Sequence, residues 1–311
     1  MNRRPIASRL LDGPPLVMDG ATGSELQRRG VYLSHGVSSS GVLGSWSATA
    51  MRDAPGIVRA VHEDYLRIGC DIITTNSFWT NTVKLGLVGL GDQAEGYTCL
   101  AGDIAVEARD RLQPDAWVAG GMAPPHGGMP QVPVDRDDLP REFAMQARHL
   151  AAAGVDLILV EYVGWIEDCV NAVDAVSSTG LPVMLGLRHV TMDGTMQHGE
   201  SFADLVAELG NRDVCAILLM CSLPEEIDAC LPGLLAAFDG PVGAYPNIGY
   251  DFSDEDIAAG GHFHSLDTTS CSPGRLAAHA QGWLDAGARI VGGCCATTPD
   301  HVQAIRDLVP R

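Results

Sequence analysis

Eight short apolar runs alternate with longer amphipathic segments along this chain. That alternation constrains the fold more than any other feature. The runs lie at 16–19, 71–75, 117–120, 156–160, 183–187, 214–220, 242–244 and 289–292. Helix-like segments separate them at 55–68, 95–112, 139–153, 166–178, 202–209, 224–238 and 273–286, and a last one lies at 299–308. Several open with proline in the first turn, where its fixed φ suits a helix. Several stop at a glycine (Gly69, Gly154, Gly180, Gly240 and Gly287), the residue that best ends a helix. Eight β/α units over roughly 250–300 residues fit a (β/α)8 TIM barrel. A doubly wound open sheet is the alternative, but its GxGxxG turn after the first strand is absent. The chain reads GATGSELQRRG there. No proline- or serine-rich linker interrupts residues 1–311, so one domain is expected, with its core over about 14–309.

Composition narrows the function class. A formal net charge of −19 opposes binding to nucleic acid or to an anionic membrane, both of which need basic surface. No run approaches the roughly 20 apolar residues of a membrane span. The opening MNRRPIASRLLDGPP lacks the apolar stretch of a secretory signal, so a cytoplasmic location is expected. Nine cysteines in such a compartment read as reduced thiols rather than a disulfide framework.

The carboxyl ends of the strands in a barrel face one way, so residues distant in sequence meet there. Asp19 ends the first run. Thr75, Asn76, Phe78 and Trp79 follow the second, and Glu161 and Tyr162 the fourth. Arg188 and His189 follow the fifth, and Cys221 the sixth. Tyr245 to Asn247 follow the seventh, and Cys294 and Cys295 the eighth. This concentration of polar and soft side chains marks the carboxyl face as the site.

The most specific stretch is GGCCATTPDH, at 292–301. Cys294, Cys295 and Cys221 could supply three corners of a zinc tetrahedron and leave the fourth open. A substrate thiol entering that corner would lose its proton to the metal's field and attack as thiolate at neutral pH. A methyl group on a cationic sulfur or nitrogen suits such a nucleophile, because the leaving group departs neutral. The spacing leaves two other readings open: buried apolar thiols, or a strained vicinal disulfide. Cys70, Cys99, Cys169, Cys215, Cys230 and Cys271 read as structural.

MDGATGSELQRRG, PGIVRAVHEDYLRIGCDIITTNSF, AGVDLILVEY, YPNIG and ARIVGGCCATTPDHVQAI occur here in that order. Together they resemble the homocysteine S-methyltransferase family, which includes betaine– and S-methylmethionine–homocysteine methyltransferases. The resemblance runs from about residue 16 to 308. It implies a zinc-dependent (β/α)8 barrel in which Cys221, Cys294 and Cys295 hold Zn2+ and act through it. It further implies that Asp19 and Glu161 hold the ammonium of homocysteine. Trp46, Trp79 and Tyr162 match positions where the family places aromatics, and aromatic faces bind onium cations. The implied reaction moves methyl from a betaine, S-methylmethionine or similar onium to L-homocysteine, giving methionine. Tyr162 is also a candidate for zinc's fourth position when no thiol is bound.

The chain departs from the family pattern. Met220 precedes Cys221, where the family usually has asparagine, so another thiol or selenol acceptor stays open. A zinc- or thiol-binding barrel without transferase activity is the alternative of a different class. Residues 33–47 read as a long mouth loop. No long extension follows GGCC, so a monomer or small homo-oligomer is expected. The partners expected are small molecules, a thiol acceptor and an onium donor. Residues 120–128 are glycine-rich but lack a P-loop's Lys-Ser/Thr, and read as a mouth loop. His262 and His264 alternate like strand residues and read as solvent-facing.

Overall fold

A computed structural model describes residues 4–33, 45–127, 134–249 and 270–310. Among them, eight parallel strands form one sheet: β1 (Leu16–Val17), β2 (Ile72–Thr74), β3 (Trp117–Met122), β4 (Leu157–Val163), β5 (Val183–Arg188), β6 (Ala216–Met220), β7 (Val242–Tyr245) and β8 (Ile290–Val291). The order β1-β8-β7-β6-β5-β4-β3-β2 sets each strand beside its sequence neighbour, with β8 returning to β1. A bridge between Met18 and Ile72 joins the two ends and closes the barrel. Each of the eight apolar runs supplies one strand.

The period-2 pattern divides the strands between two cores. Leu16, Met18, Ile72, Leu157, Leu159, Met184, Leu218, Met220 and Ile290 pack together in one cluster inside the barrel. Val17, Ile73, Val118, Ile158, Val160, Leu185, Ile217, Leu219 and Val291 pack in the other, against the helices. That alternation is what a closed sheet covered by helices requires. The helices follow the expected segments: α4 (Pro55–Ile68), α6 (Ala94–Leu112), α7 (Leu139–Ala152), α8 (Ile166–Ser177), α9 (Phe202–Leu209), α10 (Pro224–Ala237), α11 (Pro273–Ala286) and α12 (Pro299–Arg306). Gly69 and Gly287 close α4 and α11 in the left-handed conformation. Gly240 does not share it.

Short additional helices complete the layer: α1 (Ile6–Leu11), α2 (Gly23–Arg28), α3 (Ala50–Asp53) and α5 (Thr82–Gly86). Ile6 and Leu10 of α1 join the interior cluster beside Trp117 and Ala216. These partners begin β3 and β6, so α1 covers the amino-terminal end of the barrel. The opposite end remains for chemistry. No helix among the described residues is long and apolar enough to cross a membrane.

Three expectations need correction. Asp71 and Asp156 are not strand residues. Their carboxylates accept hydrogen bonds from Val17 N and Val118 N of neighbouring strands and pair with Arg306 and Arg109. Residues 120–122 belong to β3, so the glycine-rich loop starts later. Glu161 and Tyr162 lie inside β4 rather than after it, at a register shift between Val160 and Val163. The histidines at 262 and 264, and most of the loop at 33–47, lie outside the described residues.

His62 on α4 yields the first testable consequence of this packing. It is fully buried, and neither ring nitrogen has a hydrogen-bond partner among the described residues. Desolvation, with Arg59 adding to it, pushes its pKa down from 6.5 to about 4. The unfolded chain therefore binds more protons between about pH 4 and 6.5, and His62 costs stability as pH falls through that window. The drop corresponds to about 3 kcal/mol at its acid end. His62→Leu is expected to flatten the pH dependence of urea unfolding between pH 6.5 and 4. An unchanged slope would show that the imidazole is not dry.

Candidate active site

The strand ends open into one pocket, with about 910 Å3 of space between its walls, mouth included. Asp19, Thr74, Glu161, Tyr162, Met220, Cys221, Tyr245, Cys294 and Cys295 line it, as do Trp46, Phe78 and Trp79. The two glycines of GGCC permit the approach. A Cβ on Gly293 would stand 2.5 Å from Thr297 Oγ1, and one on Gly292 would stand 2.7 Å from Met18 Cβ.

Backbone hydrogen bonds fix the cysteines. Cys221 N donates to Tyr245 O at 3.1 Å, and Cys294 N to Pro246 O at 2.9 Å. Thr297 Oγ1 donates to Cys294 O at 2.7 Å. The loops after β6, β7 and β8 are thus tied together. All three sulfurs lie within 4.8 Å of one another. Cys221 Sγ is 3.6 Å and Cys294 Sγ 3.8 Å from Cys295 Sγ. A zinc tetrahedron with Zn–S near 2.3 Å has edges of about 3.8 Å, so this donor set fits zinc. A disulfide needs about 2.05 Å, so the vicinal pair is not bonded. Hydrogen bonds from Cys221 and Cys294 push the Cys295 thiol well below its ordinary value.

Two carboxylates stand in the same pocket. Asp19 Oδ2 accepts from Thr74 N at 2.7 Å, and Oδ1 accepts from Thr74 Oγ1 at 3.2 Å. Burial still raises its pKa to about 7. Glu161 Oε1 accepts from Tyr245 OH at 3.4 Å, and burial pushes that carboxyl well above its usual range. Gly121 leaves the room Glu161 needs, since a Cβ there would meet Oε2 at 2.8 Å. Two dry carboxylates with few donors suit a cationic guest.

Met220 has a role that sequence reasoning missed. Its Sδ accepts from Tyr162 N at 2.9 Å and from Tyr245 OH at 3.1 Å. The first bond holds Tyr162 at φ +64, and the second steadies the hydroxyl that faces Glu161. Non-glycine residues avoid positive φ at a cost of about 1–2 kcal/mol, and Tyr162, His189 and Cys221 all adopt it at the mouth. Met220→Leu keeps the volume and removes the acceptor. It is expected to lower unfolding stability by about 1–3 kcal/mol, the cost of stranding the buried Tyr162 N–H, since the Tyr245 hydroxyl keeps Glu161. Met220→Asn restores an acceptor and should recover part of the loss. Equal stability of the leucine variant and the parent would refute the role.

The aromatic walls differ from expectation in one respect. Phe78 is central, with ring centroids 5.1 Å from Trp79 and 5.6 Å from Tyr162. Position alone had not set it apart from its neighbours. Trp46 opens a 3-10 turn (Trp46–Thr49), tied down by Ser47 Oγ donating to Asn76 Oδ1 at 2.6 Å. Tyr162 OH lies 3.4 Å from His189 Nε2, and burial raises its pKa well above the ordinary value.

Comparison with known proteins follows the same lines. The family model described as homocysteine S-methyltransferase matches residues 16–309. The chain is 25% identical to homocysteine S-methyltransferase YbgG of Bacillus subtilis, over 95% of each chain. It is 25% identical to homocysteine S-methyltransferase 3 of Zea mays, over 94% of this chain and 89% of the other. The metallated crystal structure of the homocysteine methyltransferase MmuM from Escherichia coli superposes with a TM-score of 0.78 at 23% identity, covering 98% of this chain and 100% of that one.

Proposed function

Since the chain belongs to the homocysteine S-methyltransferase family, we propose that it transfers a methyl group from an onium donor to the thiol of L-homocysteine held on zinc. The observation that carries this reading is one pocket holding three clustered cysteine sulfurs, two dry carboxylates and an aromatic wall.

Cys221, Cys294 and Cys295 would hold the zinc, which when bound lowers the pKa of a substrate thiol so that it reacts as thiolate. Asp19 and Glu161 take the ammonium of the amino acid. Tyr245, steadied by Met220, orients the Glu161 carboxylate. Thr74 fixes the Asp19 carboxylate through two bonds. Phe78, Trp46, Trp79 and Tyr162 receive the onium and exclude water from it. The carboxylates set the angle of the acceptor, and the aromatic wall sets that of the donor. Their joint work is to place sulfur, methyl and leaving atom in line. The leaving amine or sulfide departs neutral and needs no acid.

The test supplies zinc-loaded protein with homocysteine and a pool of betaines, S-methylmethionine, dimethylsulfonium acids and S-adenosylmethionine. Mass spectrometry then follows methionine and each donor. Methionine formed at the expense of one donor supports the reading. Zinc bound in stoichiometric amount with no methionine from any donor overturns it in favour of another thiol acceptor or a barrel without transferase activity.

A further inference from the structure

The first and last β/α units grip each other beside the cysteines. Gly293 N donates to Asp19 O at 3.0 Å, which joins the segment after β1 to the GGCC turn. Beyond that turn the chain passes through Ala296 at φ +65, a left-handed conformation that alanine avoids. Ala296 is fully buried, so its N–H and its carbonyl both need partners. Helix α2 supplies them. Ala296 N donates to Ser24 Oγ at 3.0 Å, and Ala296 O accepts from Arg28 Nη2. Arg28 Nη1 donates to Thr297 O at 3.3 Å and also pairs with Glu25, three residues earlier in α2. One guanidinium therefore holds two successive carbonyls of the strained turn.

Thr297 completes the grip. It is fully buried, and its Oγ1 accepts from Ala21 N at 3.0 Å while donating to Cys294 O at 2.7 Å. A single hydroxyl thus links a residue two places after Asp19 to the carbonyl of a clustered cysteine. Gly20 and Gly293 leave the room it needs: a Cβ on either would stand 2.9 Å or 2.5 Å from Thr297 Oγ1. Tyr65 OH donates to Ala21 O at 2.9 Å, so Ala21 is held from both sides. Neither Arg28 nor Thr297 is among the residues that line the pocket. Whatever they do for chemistry, they do through the cysteines.

We propose that Arg28 and Thr297 are positioning residues for the metal centre: they hold the turn at Ala296, so that Cys294 and Cys295 stand ready to meet Cys221 at a fixed place relative to Asp19. This rests on the zinc reading of the cysteine cluster. Cys221 is placed by its own loop after β6, and only the vicinal pair moves with the turn. A turn free to relax must be ordered again when metal binds, and that ordering subtracts from affinity. The planar fork of arginine reaches both carbonyls at once, which the single ammonium of lysine does not. Because one hydroxyl ties Ala21 to Cys294, the same contacts also set the distance from the cluster to Asp19.

The experiment measures zinc affinity of the full chain by competition with a chromophoric chelator. Arg28→Ala is expected to weaken zinc binding about 10- to 100-fold, the loss that follows removal of a group that orients a metal ligand. Arg28→Lys, which keeps the charge and loses the fork, should fall between. Ala296→Gly added to Arg28→Ala should win back part of the loss, because glycine takes the left-handed turn without help. Thr297→Val keeps the shape and loses the hydroxyl, and should weaken zinc, whereas Thr297→Ser should not. That pair carries the comparison if Arg28→Ala does not fold. Cobalt(II) in place of zinc reads the ligand set directly: thiolate-to-metal absorption per bound cobalt should fall in Arg28→Ala and Thr297→Val. Parent-like zinc affinity in both of those variants overturns the proposal, as does a loss that Ala296→Gly leaves untouched, which would assign Arg28 to packing. A parent that binds neither zinc nor cobalt overturns the metal reading itself, and the proposal with it.

Discussion

Cys295→Ala is expected to remove zinc and methyl transfer together. Two sulfurs stay at the mouth, and the spacing that matches a tetrahedral edge on two sides of Cys295 is lost. Losing a group that merely supports a zinc ligand costs about 10- to 100-fold in affinity or activity, and losing the ligand itself should exceed that. Metal content measured by mass spectrometry should fall from one zinc per chain to well below one. Methionine formation should fall with it. Cys70→Ala is the control: Cys70 is a fully buried thiol in the helix-facing core and should affect stability while zinc stays bound. Stoichiometric zinc in Cys295→Ala would mean that the cluster is packing rather than a ligand set.

The second large effect concerns the acidic pair. Glu161→Gln keeps shape and removes the charge proposed to face the amino-acid ammonium. A charge-assisted hydrogen bond contributes about 1.5–3 kcal/mol, so the KM for homocysteine should rise about 10- to 100-fold. A thiol of the same length without the amine, 4-mercaptobutanoate, should be used equally well by parent and variant. The unliganded variant should also unfold at higher urea, because Glu161 is a desolvated carboxylate with one long hydrogen bond to Tyr245. Equal losses with both thiols would assign Glu161 to folding the pocket rather than to reading the ammonium.

Much of the fold was legible because its signals are local. Each strand announced itself as an apolar run between a helix stop and a helix start, and each of those runs pairs in the barrel. The three cysteines were legible as a set because they follow β6 and β8, and a parallel barrel brings such ends together. Other parts were not. Helix α1 is only six residues, too short for a periodic signal, yet it covers the barrel floor. Asp71 and Asp156 read as strand residues, because nothing local shows that their carboxylates cap the neighbouring strand. Phe78 and Trp79 are adjacent, and no pattern says which ring faces the centre of the pocket.

By itself, the amino-acid sequence determined the number and order of the strands, the two faces of each, and which polar residues would gather at one end. These follow from periods of 2 and 3.6 residues and from the rule that parallel strands expose all their carboxyl ends together. Only the tertiary structure decided what those residues do to one another. The register shift in β4 at Glu161 and Tyr162, the thioether of Met220 that meets both Tyr162 and Tyr245, and the Arg188 guanidinium over Tyr162 arise between separate β/α units. Such contacts depend on register, rotamer and burial across the barrel, and no single segment encodes them.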